Sequence, residues 1–194
     1  MTTVHRALAA VALALAVAAV AAGSMHNASS ANIDANALAH DIESEADHVT
    51  AMELAGWSRN RRTGLRVLDV RSDSEFAAYH IPSAERMPLT QLATLAPREG
   101  ETLVLYSDGG AHAAQGWVLL RALGHTHVYF LRGGLLDWTD DVLSLALPPA
   151  GTPGRDSLAE LSRYFGGTPR DAAAMVRESL STAASVAKLR RRGC

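Results

Sequence analysis

Residues 102–124 read TLVLYSDGGAHAAQGWVLLRALG, and the fold is decided there. Residues 102–106, TLVLY, are short, apolar and rich in strand formers, as in a strand covered on both faces. Gly109 and Gly110 then allow a tight turn. Residues 111–123 follow as a helix, with Gly124 placed as its C-terminal cap. Working outward, LRVLDV (65–70) and HVYFL (127–131) repeat the strand pattern. Short helical segments over 74–79 and 90–93 lie between them. Strand, helix, strand, helix, strand implies an α/β domain built on a parallel sheet.

Composition bounds the rest. The chain has 194 residues, 48% apolar and 20% charged, which suits one globular domain with extensions. Eighteen basic residues face 20 acidic ones, so no charge excess drives binding to nucleic acid. A single cysteine, Cys194, excludes a disulfide framework and any cysteine-rich zinc or iron–sulfur site. His125 and His127 share one side of a strand start, but no third ligand accompanies them, so neither a metal nor a cofactor is expected.

Residues 1–23 lie outside the fold. His5 and Arg6 precede an apolar run over 7–23 that ends in small residues, the pattern of a secretory signal peptide. Ala19-Val20-Ala21 and Ala21-Ala22-Gly23 both suit cleavage. The alternative is an uncleaved anchor in the inner membrane, although the run is short for a span and alanine contributes little to insertion. Both place the remainder outside the cytoplasm, most simply in a bacterial periplasm, with membrane contact only if the segment stays uncleaved.

Residues 24–47 read as a polar linker and a short helix carrying Leu38, Ile42 and Ala46. Residues 48–146 form the α/β domain. It opens on a Thr50–Glu53 capping box and a helix to about Ser58 that buries Met52, Leu54 and Trp57. Residues 147–194 begin with a Pro/Gly-rich linker and continue as a helical C-terminal extension. Ser157 and Glu160 have capping-box spacing. Thr168, Pro169 and Asp171 are placed to open a second helix, to about Arg192, with proline at its first position. Lys188, Arg190, Arg191 and Arg192 then complement its dipole as an ordinary solvated end; the other use is docking on a membrane surface or an acidic partner.

Three motifs carry chemistry. In the first, Asp69, Arg71, Glu75 and His80 can pin a strand–helix junction through charge-assisted hydrogen bonds, a structural role. In the second, Ser107, Asp108, Gly109, Gly110, Ala111 and His112 lie between a strand and a helix N-terminus, a potential anion cradle. In the third, Gly133 and Gly134 turn the chain sharply and Trp138 packs back on the core.

In this order and spacing the segments DVRSDSEFAAYHIPSA, LVLYSDGGAHAAQGWVLLRALGHTHVYFLRGG and LLDW resemble the rhodanese-like family of sulfurtransferase domains, over about His48 to Trp138. The resemblance implies an open α/β domain, a parallel sheet of about five strands with helices on both faces. It also implies an active-site loop at the carboxyl end of a central strand.

The departures from the family bear on function. Active members begin the loop with a cysteine that carries sulfane sulfur as a persulfide; by this resemblance that position is Ser107. The loop's usual arginines correspond to Asp108 and His112, and a glycine before the His-Ile pair corresponds to Tyr79. A thiol can be tuned to ionise near neutrality, whereas a hydroxyl needs an adjacent base and offers no exchangeable S–S bond. Asp108 adds negative charge where an anionic donor would approach, and an ordinary histidine carries little charge at pH 7. A Ser107–Asp108–His112 hydrolase triad is disfavoured because close neighbours on one loop rarely reach triad geometry. A phosphatase on this fold lacks its cysteine for the same reason.

The expectation is an exported domain without sulfurtransferase activity, a binding or regulatory module for an unknown protein partner or small anion. The alternative is a sulfurtransferase, or a thiol-redox or sulfur carrier, that uses Cys194, whose neighbours Arg190–192 favour the thiolate.

Overall fold

The computed structural model describes residues 34–96 and 98–177, together with 5, 8 and 10–18. Cys194 and the basic residues 188–192 lie outside the described residues, as does most of the proposed linker. Residues 1–33 form one compact unit and 34–194 another. In the first, residues 10–18 are helical, with exposed side chains. Among the described residues no helix is long and apolar enough to cross a membrane.

The second unit holds a five-stranded parallel sheet. Its strands are β1 (His48–Val49), β2 (Leu65–Asp69), β3 (Glu85–Arg86), β4 (Thr102–Tyr106) and β5 (Val128–Leu131), in the spatial order β1-β5-β4-β2-β3. The central strand, β4, pairs with β2 from Leu65↔Thr102 to Asp69↔Tyr106 and with β5 from Leu103↔Val128 to Leu105↔Phe130. All five β4 residues are buried because alternate side chains enter two separate cores. Val104 and Tyr106 join Val49, Leu54, Val67, Ile81, Leu131 and Trp138 on one face. Leu103 and Leu105 join Leu68, Leu92, Trp117, Leu120 and Val128 on the other. The continuous apolar run of residues 102–106 follows from this two-sided burial.

Helices connect the strands: α1 (Ala35–Glu43), α2 (Ala51–Arg59), α3 (Asp73–Ala78), α4 (Leu89–Leu92) and α5 (Ala111–Ala122). The Thr50–Glu53 capping box opens α2 as expected. Its fully buried face is Ala51, Leu54 and Ala55, while Met52 and Trp57 pack partly buried around it. Gly116 lets α5 lie close on the sheet, since a Cβ there would come within 2.7 Å of Leu105 Cδ2. Trp117 Nε1 donates to the Val128 carbonyl at 2.9 Å. Gly124, at φ 93°, ends α5.

After β5 come α6 (Gly134–Asp137) and a π-helix over Trp138–Leu143. Then β6 (Ala146–Leu147), α7 (Arg155–Tyr164) and β7 (Arg170–Asp171) follow. Helix α7 packs on the domain: Phe165 touches Trp138 edge-on, with ring centroids 5.0 Å apart, and Arg59 bonds Glu160 at 2.7 Å.

Several expectations are corrected. Strand β5 begins at Val128, so His127 lies before it. His125 is 5% exposed and its Nε2 bonds the Leu95 carbonyl at 3.1 Å, whereas His127 Nδ1 lies 3.1 Å from the Thr126 hydroxyl. No Ser157–Glu160 capping box forms, because the N-cap of α7 lies three residues earlier, at Gly154 with φ 82°. Thr168, Pro169 and Asp171 do not open a helix: Arg170–Asp171 pairs parallel with Ala146–Leu147, and the Asp171 carboxylate bonds Arg155 at 2.6 Å. Helix resumes over 172–177.

Candidate functional site

The carboxyl end of β4 opens into a cleft of about 500 Å³ lined by Val70, Arg71, Ser72, Glu75, Leu89, Ser107, Asp108, Gly109, Ala111 and His112. It combines the ends of β2 and β4, the start of α3, the start of α4 and the first turn of α5. Ser107, directly after β4, is 3% exposed. Its side chain has no hydrogen-bond partner among the described residues, yet its hydroxyl is not among the fully sealed unpaired atoms. It therefore opens to the cleft, whereas Asp108 and His112 are exposed. No hydrogen bond joins the three, so they form no nucleophile–base–acid relay.

The loop is shaped by glycine. Gly110 stands at φ 87° before α5, and Gly134 at φ 60° lies behind the loop. The amides of Leu135 and Leu136 donate to the carbonyls of Ser107 and Asp108 at 2.9 and 3.0 Å. Gly133 also sits at positive φ, and a Cβ there would collide with Asp137. The third sequence motif is thus the support of the second. Trp138 is fully buried, and its Nε1 donates to the Tyr79 hydroxyl at 3.1 Å.

Electrostatics center on Arg71. Its Nε donates to Asp69 Oδ1 at 3.0 Å, and Nη2 donates to Asp69 Oδ2 and to the Tyr79 carbonyl, each at 2.7 Å. Its Nη1 donates to Asp108 Oδ1 at 3.1 Å. The Arg71 side chain is 6% exposed and that of Asp69 0%. Hydrogen bonding to Asp69 pushes the guanidinium pKa up. Burial, and then hydrogen bonding to Asp69, push the Tyr106 phenol up as well. Tyr106 therefore stays neutral and accepts from the Ile81 amide at 3.1 Å.

Glu75 does not pair with Arg71. It closes a capping box with Ser72, which holds its carboxyl below the usual glutamate range; Asp108 and Arg71 contribute less. His80 stands apart, stacked on Phe76 at 4.0 Å with Nδ1 on the Phe76 carbonyl at 2.9 Å. Sequence reasoning missed Val70, Ser72 and Leu89 as cleft walls. The Ser72–Glu75 spacing was a usable signal for one of them; Leu89 carried none.

Residues 50–141 match the family model of the rhodanese-like domain. The chain belongs to the rhodanese-like family. Among relatives, an uncharacterized protein of Synechocystis is 36% identical over 74 residues, covering 37% of this chain and 41% of that one. The mitochondrial Arabidopsis thaliana protein High Arsenic Content 1 is 29% identical over 102 residues, covering 45% and 60%. This chain thus spans less than two thirds of either curated relative. The solution structure of the rhodanese-like domain of an Anabaena protein is 29% identical, covers 48% of this chain and 73% of that one, and has a TM-score of 0.44. The rhodanese-like domain accounts for the parallel sheet and for a loop at the end of its central strand. Among the described residues no group of three or more His, Cys, Asp or Glu side chains is placed to hold a metal.

Proposed function

We propose that this chain is an exported rhodanese-like protein without sulfurtransferase activity, whose cleft serves as a binding or regulatory site. The observation that carries the reading is at the cleft floor. Ser107 stands where the resemblance puts the family's sulfur-carrying cysteine, and among the described residues no base is hydrogen-bonded to it. An oxygen nucleophile there has no route to a persulfide, because the cycle needs a sulfur atom that forms and releases an S–S bond.

The charges support the same reading. Arg71, the cleft's arginine, is engaged by Asp69, Tyr79 and Asp108, which leaves little of it for a thiosulfate-like anion. Asp108 and Glu75 add two negative charges at the opening. Export rests on the His5-Arg6 start and the apolar run over 7–23.

The test is thiocyanate formation from thiosulfate and cyanide by the purified chain, beside a Ser107→Cys variant. The native chain is expected to stay at background. Turnover by the native chain that Ser107→Ala abolishes would overturn the reading.

A further inference from the structure

The charge that lines the cleft is negative. The cleft's family position invites an anion, and the amino end of α5 adds roughly half a positive charge. Against this stand Glu75 and Asp108, both exposed, with Arg71 already neutralised by the buried Asp69. Two full carboxylate charges outweigh half a charge from a helix end, so the sum is negative.

A cluster of carboxylates alone would attract only mobile counterions. Ser107 adds what such a cluster lacks: a hydroxyl on a residue 97% buried by its 3% exposure, without a hydrogen-bond partner among the described residues, opening into the same cleft. Leaving such a group unmatched costs stability unless something else satisfies it. Val70, Leu89 and Ala111 supply apolar wall beside it.

We propose that this cleft binds a primary alkylammonium group, whose three N–H donors go to Ser107 Oγ and the carboxylates of Asp108 and Glu75 while its methylene stem lies on Val70 and Leu89. An ammonium offers three donors and no acceptor, which matches three acceptors on one cleft, and long alkyl stems bury readily beneath a charged head. The source is a lysine side chain of a protein or a free aliphatic amine; both present the same chemistry. The inference rests on the reading of the cleft as a binding site.

The experiment titrates the full chain with 1-aminobutane, butan-1-ol and butyrate, following backbone amide shifts over 107–112 by NMR. Saturating shifts are expected with the amine alone. Asp108→Asn and Ser107→Ala should each weaken it about tenfold, the loss of one charge-assisted hydrogen bond. Nα-acetyl-lysine methylamide binding more tightly than 1,5-diaminopentane assigns a protein source, and the reverse order a free amine. Equal shifts with the alcohol, stronger ones with butyrate, or none with any amine would overturn the proposal. Thiosulfate–cyanide turnover is measured on the same sample: if it stays at background while the amines fail, only the ligand assignment falls. If turnover appears, the inactive-module reading falls.

Discussion

A Cβ on Gly134 would stand 2.2 Å from the carbonyl oxygen of Ser107 and 2.5 Å from that of Asp108. The loop that carries the site therefore rests directly on the backbone of the turn after β5. Gly134→Ala should shift the 107–110 loop and destabilise the domain by about 1–3 kcal/mol, from a strained backbone on top of the collision. Gly109 has open space around it, so Gly109→Ala is the matched control, expected within about 0.5 kcal/mol. Urea midpoints compare the two; equal midpoints would contradict this account of the loop.

The Asp69–Arg71 pair is the second structural claim. Both side chains are almost sealed from solvent, so Arg71→Ala strands a buried carboxylate, at a cost of about 3–5 kcal/mol. The Arg59–Glu160 pair has the same 2.7 Å separation, but Glu160 is 68% exposed. Glu160→Gln should therefore change stability by less than about 1 kcal/mol. Chemical denaturation of both variants separates the cases.

Acid sensitivity should show at the N-terminus of α2. The Thr50 amide and hydroxyl donate to Glu53 at 2.8 and 2.7 Å, holding its carboxyl below the ordinary 4.5, the backbone bond contributing most. A depressed folded-state pKa gives stability that is present above the unfolded value and is lost as pH falls through the folded one. Glu53→Gln should thus melt lower than the native chain at neutral pH, and the gap should close in acid below 4.5. A gap that widens in acid would refute this.

Restoring a thiol should not by itself restore full sulfur transfer. In Ser107→Cys, thiosulfate still approaches past Asp108 and Glu75. Adding Asp108→Asn should raise kcat/KM about tenfold, mainly through KM, as expected for one like charge removed near a dianion. Added salt should help the single variant more than the double one. A kcat/KM unchanged by Asp108→Asn would remove electrostatic exclusion from the account.

Much of this was legible in the sequence, and the parts that were not have physical reasons. Strands β2, β4 and β5 announce themselves because burial on both faces leaves runs such as 102–106 nearly continuously apolar. Strands β1 and β3 have two residues each, too few for any periodicity. Capping boxes mislead when spacing is read without backbone: Ser157 and Glu160 have the spacing, but Gly154 at positive φ lets the chain enter α7 earlier. Similarly Thr168-Pro169 precedes a strand pairing, since the Thr168 and Arg170 amides donate to the carbonyls of Leu143 and Leu145, a long-range partnership that local sequence does not encode. In the candidate site, the resemblance points to Ser107 and its loop, which line the cleft after β4. A structural bond for Arg71 is expected from the Asp69–Arg71–Glu75–His80 cluster, but not that Arg71 would also reach Tyr79 and Asp108 or that Glu75 would serve Ser72, because those choices depend on side-chain geometry at the meeting of β2, β4 and α3.

Cys194 is the sole thiol of the chain, so Cys194→Ser yields a protein with no thiol to carry a persulfide. Thiocyanate production from thiosulfate and cyanide by this variant and by the native chain tests directly whether the cleft can carry sulfane sulfur. Both are expected to match the rate without protein. Production above that rate that persists in Cys194→Ser and disappears in Ser107→Ala would contradict the account.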